Sequence, residues 1–267
     1  MPYPDALHVL TRSADRGRGT VVFVHGSLDR GESFRRVMRR LPDLTTLAYD
    51  RRGYQGSRAG GTVGLGGHVD DLLEIADAAR ELSEGPVVAV GHSLGGDVVM
   101  AAALAEPRVF GAIGAYEPPM PWLGFRRAPT GDPETARAWP PMSADPAEEA
   151  EQFFSRMVGA AAWARLSDDG RAQRRADGPA LVADFRSLRG EGPPFDVTQL
   201  DVPAVFGMGG PTTRPHHRRT VEWLGAHVPD AVIFEIQGAQ HGAHLSHPDH
   251  FATLARLVVD RAPSTAR

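Results

Sequence analysis

One segment, residues 86–105 (PVVAVGHSLGGDVVMAAALA), constrains the fold of this chain more than any other. Pro86 to Val90 is continuously apolar and rich in valine, so it reads as a strand covered on both faces. Gly91-His92-Ser93-Leu94-Gly95 follows without a spacer, and Leu94 to Ala105 carries a helical pattern. A strand that enters a helix through so short a turn leaves the central side chain, Ser93, projecting above the sheet edge. Side chains at 91 and 95 would collide with the neighbouring strand and helix, which explains the two glycines. The helix start aims free N–H groups and a positive dipole end at the same spot. Ser93 is therefore a candidate nucleophile, and the Leu94 N–H a candidate donor to a developing oxyanion.

The rest of the chain repeats this alternation. Further apolar runs are Thr20–Val24, Thr45–Tyr49, Gly111–Tyr116, Pro203–Met208 and Ala231–Ile236. Helical patterns occupy Glu32–Leu41, His68–Leu82, Thr220–His227 and His247–Asp260. The order predicts an α/β chain with a doubly wound, mostly parallel sheet and ligands at the carboxyl ends of its strands. Residues 118–199 break the rhythm. They hold two Pro-rich patches, EPPMPW and AWPPMSADP, no convincing strand, and helical patterns at Ala147–Val158 and Gly178–Leu188. This is too long for a loop. Trp122, Phe125, Trp139, Phe153, Phe154 and Trp163 give it too much apolar mass for disorder. The expected organisation is a core of residues 1–117 and 200–267 with a helical lid over 118–199.

Composition removes several classes of chemistry. There is no cysteine, so disulfides, thiolate catalysis and Cys-based zinc sites are absent. Every fixed cation is an arginine, which excludes a lysine Schiff base. A net charge of -4 gives no reason to expect a nucleic-acid or membrane partner. The N-terminus lacks a signal-like apolar stretch, and no apolar run approaches the roughly 18 residues that span a bilayer. A cytoplasmic location is expected. The Ala, Gly, Pro and Arg bias resembles that of high-GC bacteria. Nothing in the sequence sets the oligomeric state. His244, His247 and His250 are spaced by three, but Pro248 interrupts them and no carboxylate clearly completes a site. No metal and no cofactor are expected.

A serine at its ordinary pKa needs an adjacent base. The candidate is His241 in Gln237-Gly238-Ala239-Gln240-His241-Gly242, after the last apolar run. Asp97, in the first turn of the helix after Ser93, reads as a structural residue favoured by the helix dipole.

Taken together, the His25-Gly26-Ser27 loop, the Asp50-Arg51-Arg52-Gly53 turn, the Ser93 turn, the helical lid and the His241 loop resemble the α/β-hydrolase superfamily. The chain departs from it at Gln55, where a glycine is more usual. The resemblance implies a lid after the sixth strand of the family's sheet, a second oxyanion donor from the Ser27 backbone N–H, and structural roles for His25 and His92. It also implies an acid after the strand 203–208. Gly207 to Thr213 contains no carboxylate, and Asp201 and Glu222 are badly placed. Some relatives carry the acid one strand earlier, where this chain has Glu117, so Glu117 is the expected partner of His241. A serine, unlike the aspartate of epoxide hydrolases and dehalogenases, suits an acyl carbon. The expected substrate is a small, partly apolar ester, thioester or lactone, cleaved through an acyl-enzyme, with Trp122 and Phe154 as binding residues and Arg126, Arg127 and Arg137 as exposed lid residues. Two alternatives stay open: a non-catalytic small-molecule-binding protein, and a lyase or carbon–carbon bond hydrolase using the same residues.

Overall fold

The computed structural model describes residues 6–14, 18–82, 84–125, 142–190, 192–211 and 213–263. Arg126, Arg127, Arg137 and Trp139 lie outside them. The strands are β1 (Val9–Arg12), β2 (Thr20–Val24), β3 (Thr45–Tyr49), β4 (Val87–His92), β5 (Ala112–Tyr116), β6 (Ala204–Gly209) and β7 (Ala231–Ile236). They form one sheet in the order β1-β3-β2-β4-β5-β6-β7, parallel except for β1 against β3. Every residue of β2 through β6 is buried, which is why these strands read as unbroken apolar runs.

The helices are α1 (Arg35–Met38), α2 (Leu65–Arg80), α3 (Leu94–Ala105), α4 (Pro146–Val158), α5 (Ala160–Ala164), α6 (Asp168–Ala176), α7 (Gly178–Leu188), α8 (Pro215–His227), α9 (Ala243–Ser246) and α10 (Pro248–Arg261). Alternate strand residues serve opposite faces. Val22, Leu47, Ala89 and Phe206 pack with Leu72 of α2, Val98 of α3 and Leu224 of α8. Val21, Phe23, Val88 and Val205 pack with Val37 of α1 and Leu254 and Val258 of α10. Each such fully buried aliphatic or aromatic side chain contributes roughly 1.5–3 kcal/mol, so the two apolar layers hold the sheet rigid.

α4 to α7 form the insertion between β5 and β6. Asp145 caps α4 by accepting from the Ala147 N–H, with Pro146 at the first helical position. Ser167 caps α6 through the Gly170 N–H. The insertion is bound to the core by ion pairs on buried carboxylates. Asp177 takes Arg58 of the loop after β3, and Asp184 takes Arg51.

Candidate active site

Ser93 occupies φ 54°, ψ -128°, between β4 and α3. A non-glycine residue there is strained by about 1–3 kcal/mol and persists only where its surroundings fix it. The Ser93 N–H donates to Tyr116 O at 2.9 Å, and Ser93 O accepts from the Gly96 N–H at 2.7 Å. A Cβ at Gly91 would lie 2.2 Å from Gly95 O, and one at Gly95 would lie 2.1 Å from Val24 O. Both flanking glycines are therefore required by backbone contact. Leu94 opens α3, so its N–H has no acceptor within the helix. Ser27, Ser93, Leu94 and His241 line one cavity of about 470 Å³, counting its open mouth.

Glu117 follows β5 at φ 46°, with its N–H bonded to Gly207 O at 2.9 Å. Its side chain is fully buried. Oε1 accepts from the Gly209 N–H at 2.8 Å and from Thr213 Oγ1 at 2.6 Å. Oε2 lies 2.8 Å from His241 Nδ1. Burial pushes the Glu117 carboxyl up, but the His241 contact and the bonds from Thr213 and Gly209 outweigh it. The carboxyl ends below its ordinary value. An ionised carboxylate only accepts, so His241 Nδ1 carries a proton, which in the neutral ring leaves the lone pair on Nε2. That is the tautomer a general base needs.

His241 is held between two other imidazoles. His217, in the first turn of α8, stacks on it at 4.3 Å with planes 13° apart. His92 lies on it at 4.7 Å and donates from Nε2 to His241 O at 2.7 Å. His92 is thus directed into the loop that carries His241. Burial lowers its pKa well below the usual value and keeps it neutral. His244 pairs with Asp29 at 3.1 Å. His25 is fully buried. Its Nε2 accepts from the Arg51 N–H at 2.8 Å, so its Nδ1 donates to Gly26 O at 2.7 Å. Asp97 is fully buried, and burial raises its carboxyl well above the ordinary range despite a bond from Met120.

The cavity wall differs from the expected one. Trp122 packs edge-on against Phe195 at 5.2 Å, and Phe154 lies against Trp163 at 5.5 Å; neither lines the cavity. The wall is made by Pro119, Pro121, Phe153, Met157, Phe185 and Leu188. For Phe154 the reason is helical phase. Ala150, Phe153 and Met157 share one face of α4, and Phe154 is turned by about 100° from Phe153. His217, also in the wall, belongs to no motif, and nothing local in the sequence marks it.

Among the described residues, two groups gather possible metal ligands: Asp29, His92 and His244, and Glu117, His217 and His241. In the second, the stacked rings of His217 and His241 direct their in-plane lone pairs along parallel planes, which do not meet at one ion. In the first, His92 Nε2 is already bonded to His241 O and His244 Nε2 to Asp29.

Residues 21–254 match the Alpha/beta hydrolase family. The chain belongs to that family. A stretch of 120 residues is 32% identical to the lipase LipV of Mycobacterium tuberculosis, covering 45% of this chain and 44% of that protein, so the match spans less than half of the relative. Among solved structures, a thermophilic esterase from Thermogutta terrifontis superposes with a TM-score of 0.68 at 16% identity, over 96% of this chain and 93% of that one. A hydrolase from Pseudomonas aeruginosa PA01 superposes with a TM-score of 0.69 at 18% identity, over 95% and 94%. These structural likenesses bear on the fold alone. No helix among the described residues is long and apolar enough to cross a membrane.

Proposed function

We propose that this α/β-hydrolase cleaves a small carboxylic ester, thioester or lactone through an acyl-enzyme on Ser93. The observation that carries the reading is the buried Glu117–His241 contact beside the cavity that holds the strained Ser93. Ser93 Oγ attacks the acyl carbon while His241 Nε2 takes its proton. The oxyanion is met by the N–H groups of Ser27 and Leu94. The tetrahedral adduct expels the alcohol or thiol, which receives that proton from His241. A water then attacks the acyl-enzyme by the same route and releases the acid and free Ser93. Glu117 holds the imidazole tautomer and stabilises the imidazolium. The helical insertion acts as a lid whose apolar wall, from Pro119 to Leu188, takes the acyl or alcohol group.

The test is mass spectrometry after treatment with a fluorophosphonate probe, together with turnover of p-nitrophenyl esters of graded acyl length. Labelling at Ser93 and turnover lost in Ser93→Ala are expected. Labelling at another residue, or folded protein that neither labels nor turns over any ester, would overturn the reading.

A further inference from the structure

Resting on that reading, we propose that Arg51 and Asp184 are positioning residues for the oxyanion hole, so that the inserted helices act on the chemistry as well as on access. The carbonyl of Gly26 and the N–H of Ser27 belong to the same planar trans unit and point in opposite directions. Gly26 O accepts from Arg51 Nη2 at 3.3 Å and from His25 Nδ1 at 2.7 Å. With the carbonyl held there, the Ser27 N–H is turned to the other side of the peptide, and Ser27 lines the cavity beside Ser93. The loop has no room to drift toward the nucleophile, since a Cβ on Gly26 would lie 2.8 Å from Ser93 Cβ. Arg51 fixes the preceding peptide too. Its Nε donates to His25 O at 3.0 Å, and its backbone N–H donates to His25 Nε2 at 2.8 Å. A cation bonded to the carbonyl also polarises the peptide and makes its N–H a stronger donor.

The guanidinium is in turn held by the insertion. Asp184, in α7, accepts from Arg51 Nη1 at 3.2 Å and from Nη2 at 3.0 Å, a bidentate contact. Its own oxygens are fixed by Tyr54 Oη at 2.6 Å and by His68 Nε2 at 2.9 Å. Arg51 is 0% exposed and Asp184 1%. A buried pair of this kind adds little net stability over an apolar pair of the same size. A tether for α7 would not need two loop carbonyls on the same guanidinium. The next part of the loop is held in the same way: Arg174 of α6 donates to Leu28 O, and Leu28 stands at φ 53°.

The experiment compares wild type, Asp184→Asn and the charge-free double variant Arg51→Met with Asp184→Leu. The double variant leaves no unpaired buried charge and preserves the fold where the single variant fails. Fluorophosphonate titration counts competent Ser93 sites, p-nitrophenyl acetate gives kcat per site, and phenylboronic acid reports binding of a tetrahedral anion. On loss of a well-placed oxyanion donor, kcat per site falls on the order of 10²-fold. Phenylboronic acid affinity falls in parallel while KM for p-nitrophenyl acetate stays within about threefold. A merely structural pair would lower the melting temperature or the count of sites and leave kcat per site and boronate affinity unchanged. That result in a folded variant overturns the proposal while leaving the parent reading intact. A wild type that fails to label at Ser93 overturns both.

Discussion

Replacing Glu117 by glutamine tests the site with the smallest change of shape. Glu117 Oε1 accepts two hydrogen bonds, from the Gly209 N–H and Thr213 Oγ1, and Oε2 faces His241 Nδ1. Glutamine has one oxygen and one NH₂. The oxygen stays with Gly209 and Thr213, because the flipped amide would set its NH₂ against the Gly209 N–H. The NH₂ is then aimed at His241 Nδ1, which must become the acceptor. The proton moves to Nε2, and the ring can no longer take one from Ser93. Loss of a buried charge-assisted bond accounts for about 1.5–3 kcal/mol, and the wrong tautomer adds to it. The expected fall in kcat is roughly 10³–10⁴, the upper figure being that for the equivalent change in a serine protease. Glu117 is absent from the cavity wall, so KM should change by less than about threefold. Two of the three hydrogen bonds survive, so unfolding free energy should drop by no more than about 2 kcal/mol. The assay is stopped-flow acylation by p-nitrophenyl acetate, normalised to titrated sites. A folded Glu117→Gln that keeps more than a tenth of the wild-type kcat would refute the argument.

Three further outcomes are expected. His241→Ala should lower kcat by about 10⁴ or more, whereas His244→Gln, which breaks the bond to Asp29, should cost about 1–3 kcal/mol of stability and leave the steady-state rate per folded molecule nearly unchanged; the reverse ranking would show that the wrong histidine faces Ser93. Phe153→Ala or Phe185→Ala should raise KM for a hexanoyl ester about tenfold and spare the acetyl ester, since each removes a ring from the cavity wall, and equal losses on both esters would count against that wall as the acyl site. Acidification should destabilise the fold early, because burial lowers the pKa of His25, to about 3, and also that of His68 and His92, from the ordinary 6.5. These rings stay neutral when folded and take up protons when unfolded. The contribution of these three rings to stability is therefore flat above about 6.5 and falls below it by up to about 1.4 kcal/mol per pH unit per histidine. Urea midpoints that are equal at pH 7.5 and 5.5 would exclude this.

The strands and the Ser93 turn are legible because their constraints are local. The three valines and one alanine of residues 87–90, buried on both faces, must read as an apolar run, and an elbow in which a Cβ on Gly91 would lie 2.2 Å from Gly95 O admits only glycine at its flanks. β1 is not legible, because Val9–Arg12 is a short, partly exposed edge strand with no such run. α6 hides for the opposite reason: Asp168–Ala176 is polar on every face, and only the Ser167 cap marks its start. The cavity wall depends on the phase of α4 against the core, and adjacent Phe153 and Phe154 cannot be ranked without that phase. The Arg51–Asp184 pair joins positions 133 residues apart and has no local signature. Arg51 sits inside a recognisable turn, yet nothing near it says that its guanidinium points into the protein.

The position of the acid is where local and global constraints meet. The strand end at Gly209 and Gly210 holds no carboxylate, and the packing gives a reason. A Cβ at Gly209 would lie 2.4 Å from Ala239 O, and one at Gly210 would lie 2.9 Å from the Gly238 N. Both clashes are with the backbone of the loop that carries His241. That loop lies so close to the end of β6 that the Gly210 N–H donates to Ala239 O at 3.1 Å. A side chain at either glycine would push His241 away from the cavity, so a carboxylate cannot enter from β6 without moving the base it should serve. The adjacent strand offers another route. Glu117 leaves β5 at φ 46° and passes beneath Gly209, taking the N–H of that residue as one of its partners. The glycines that exclude an acid at the end of β6 are therefore the same residues that let Glu117 reach His241. Gly209→Ala should accordingly impair the site as severely as Glu117→Gln although it removes no ionisable group. A fully active Gly209→Ala would show that the loop yields and that the close packing does not dictate where the acid sits.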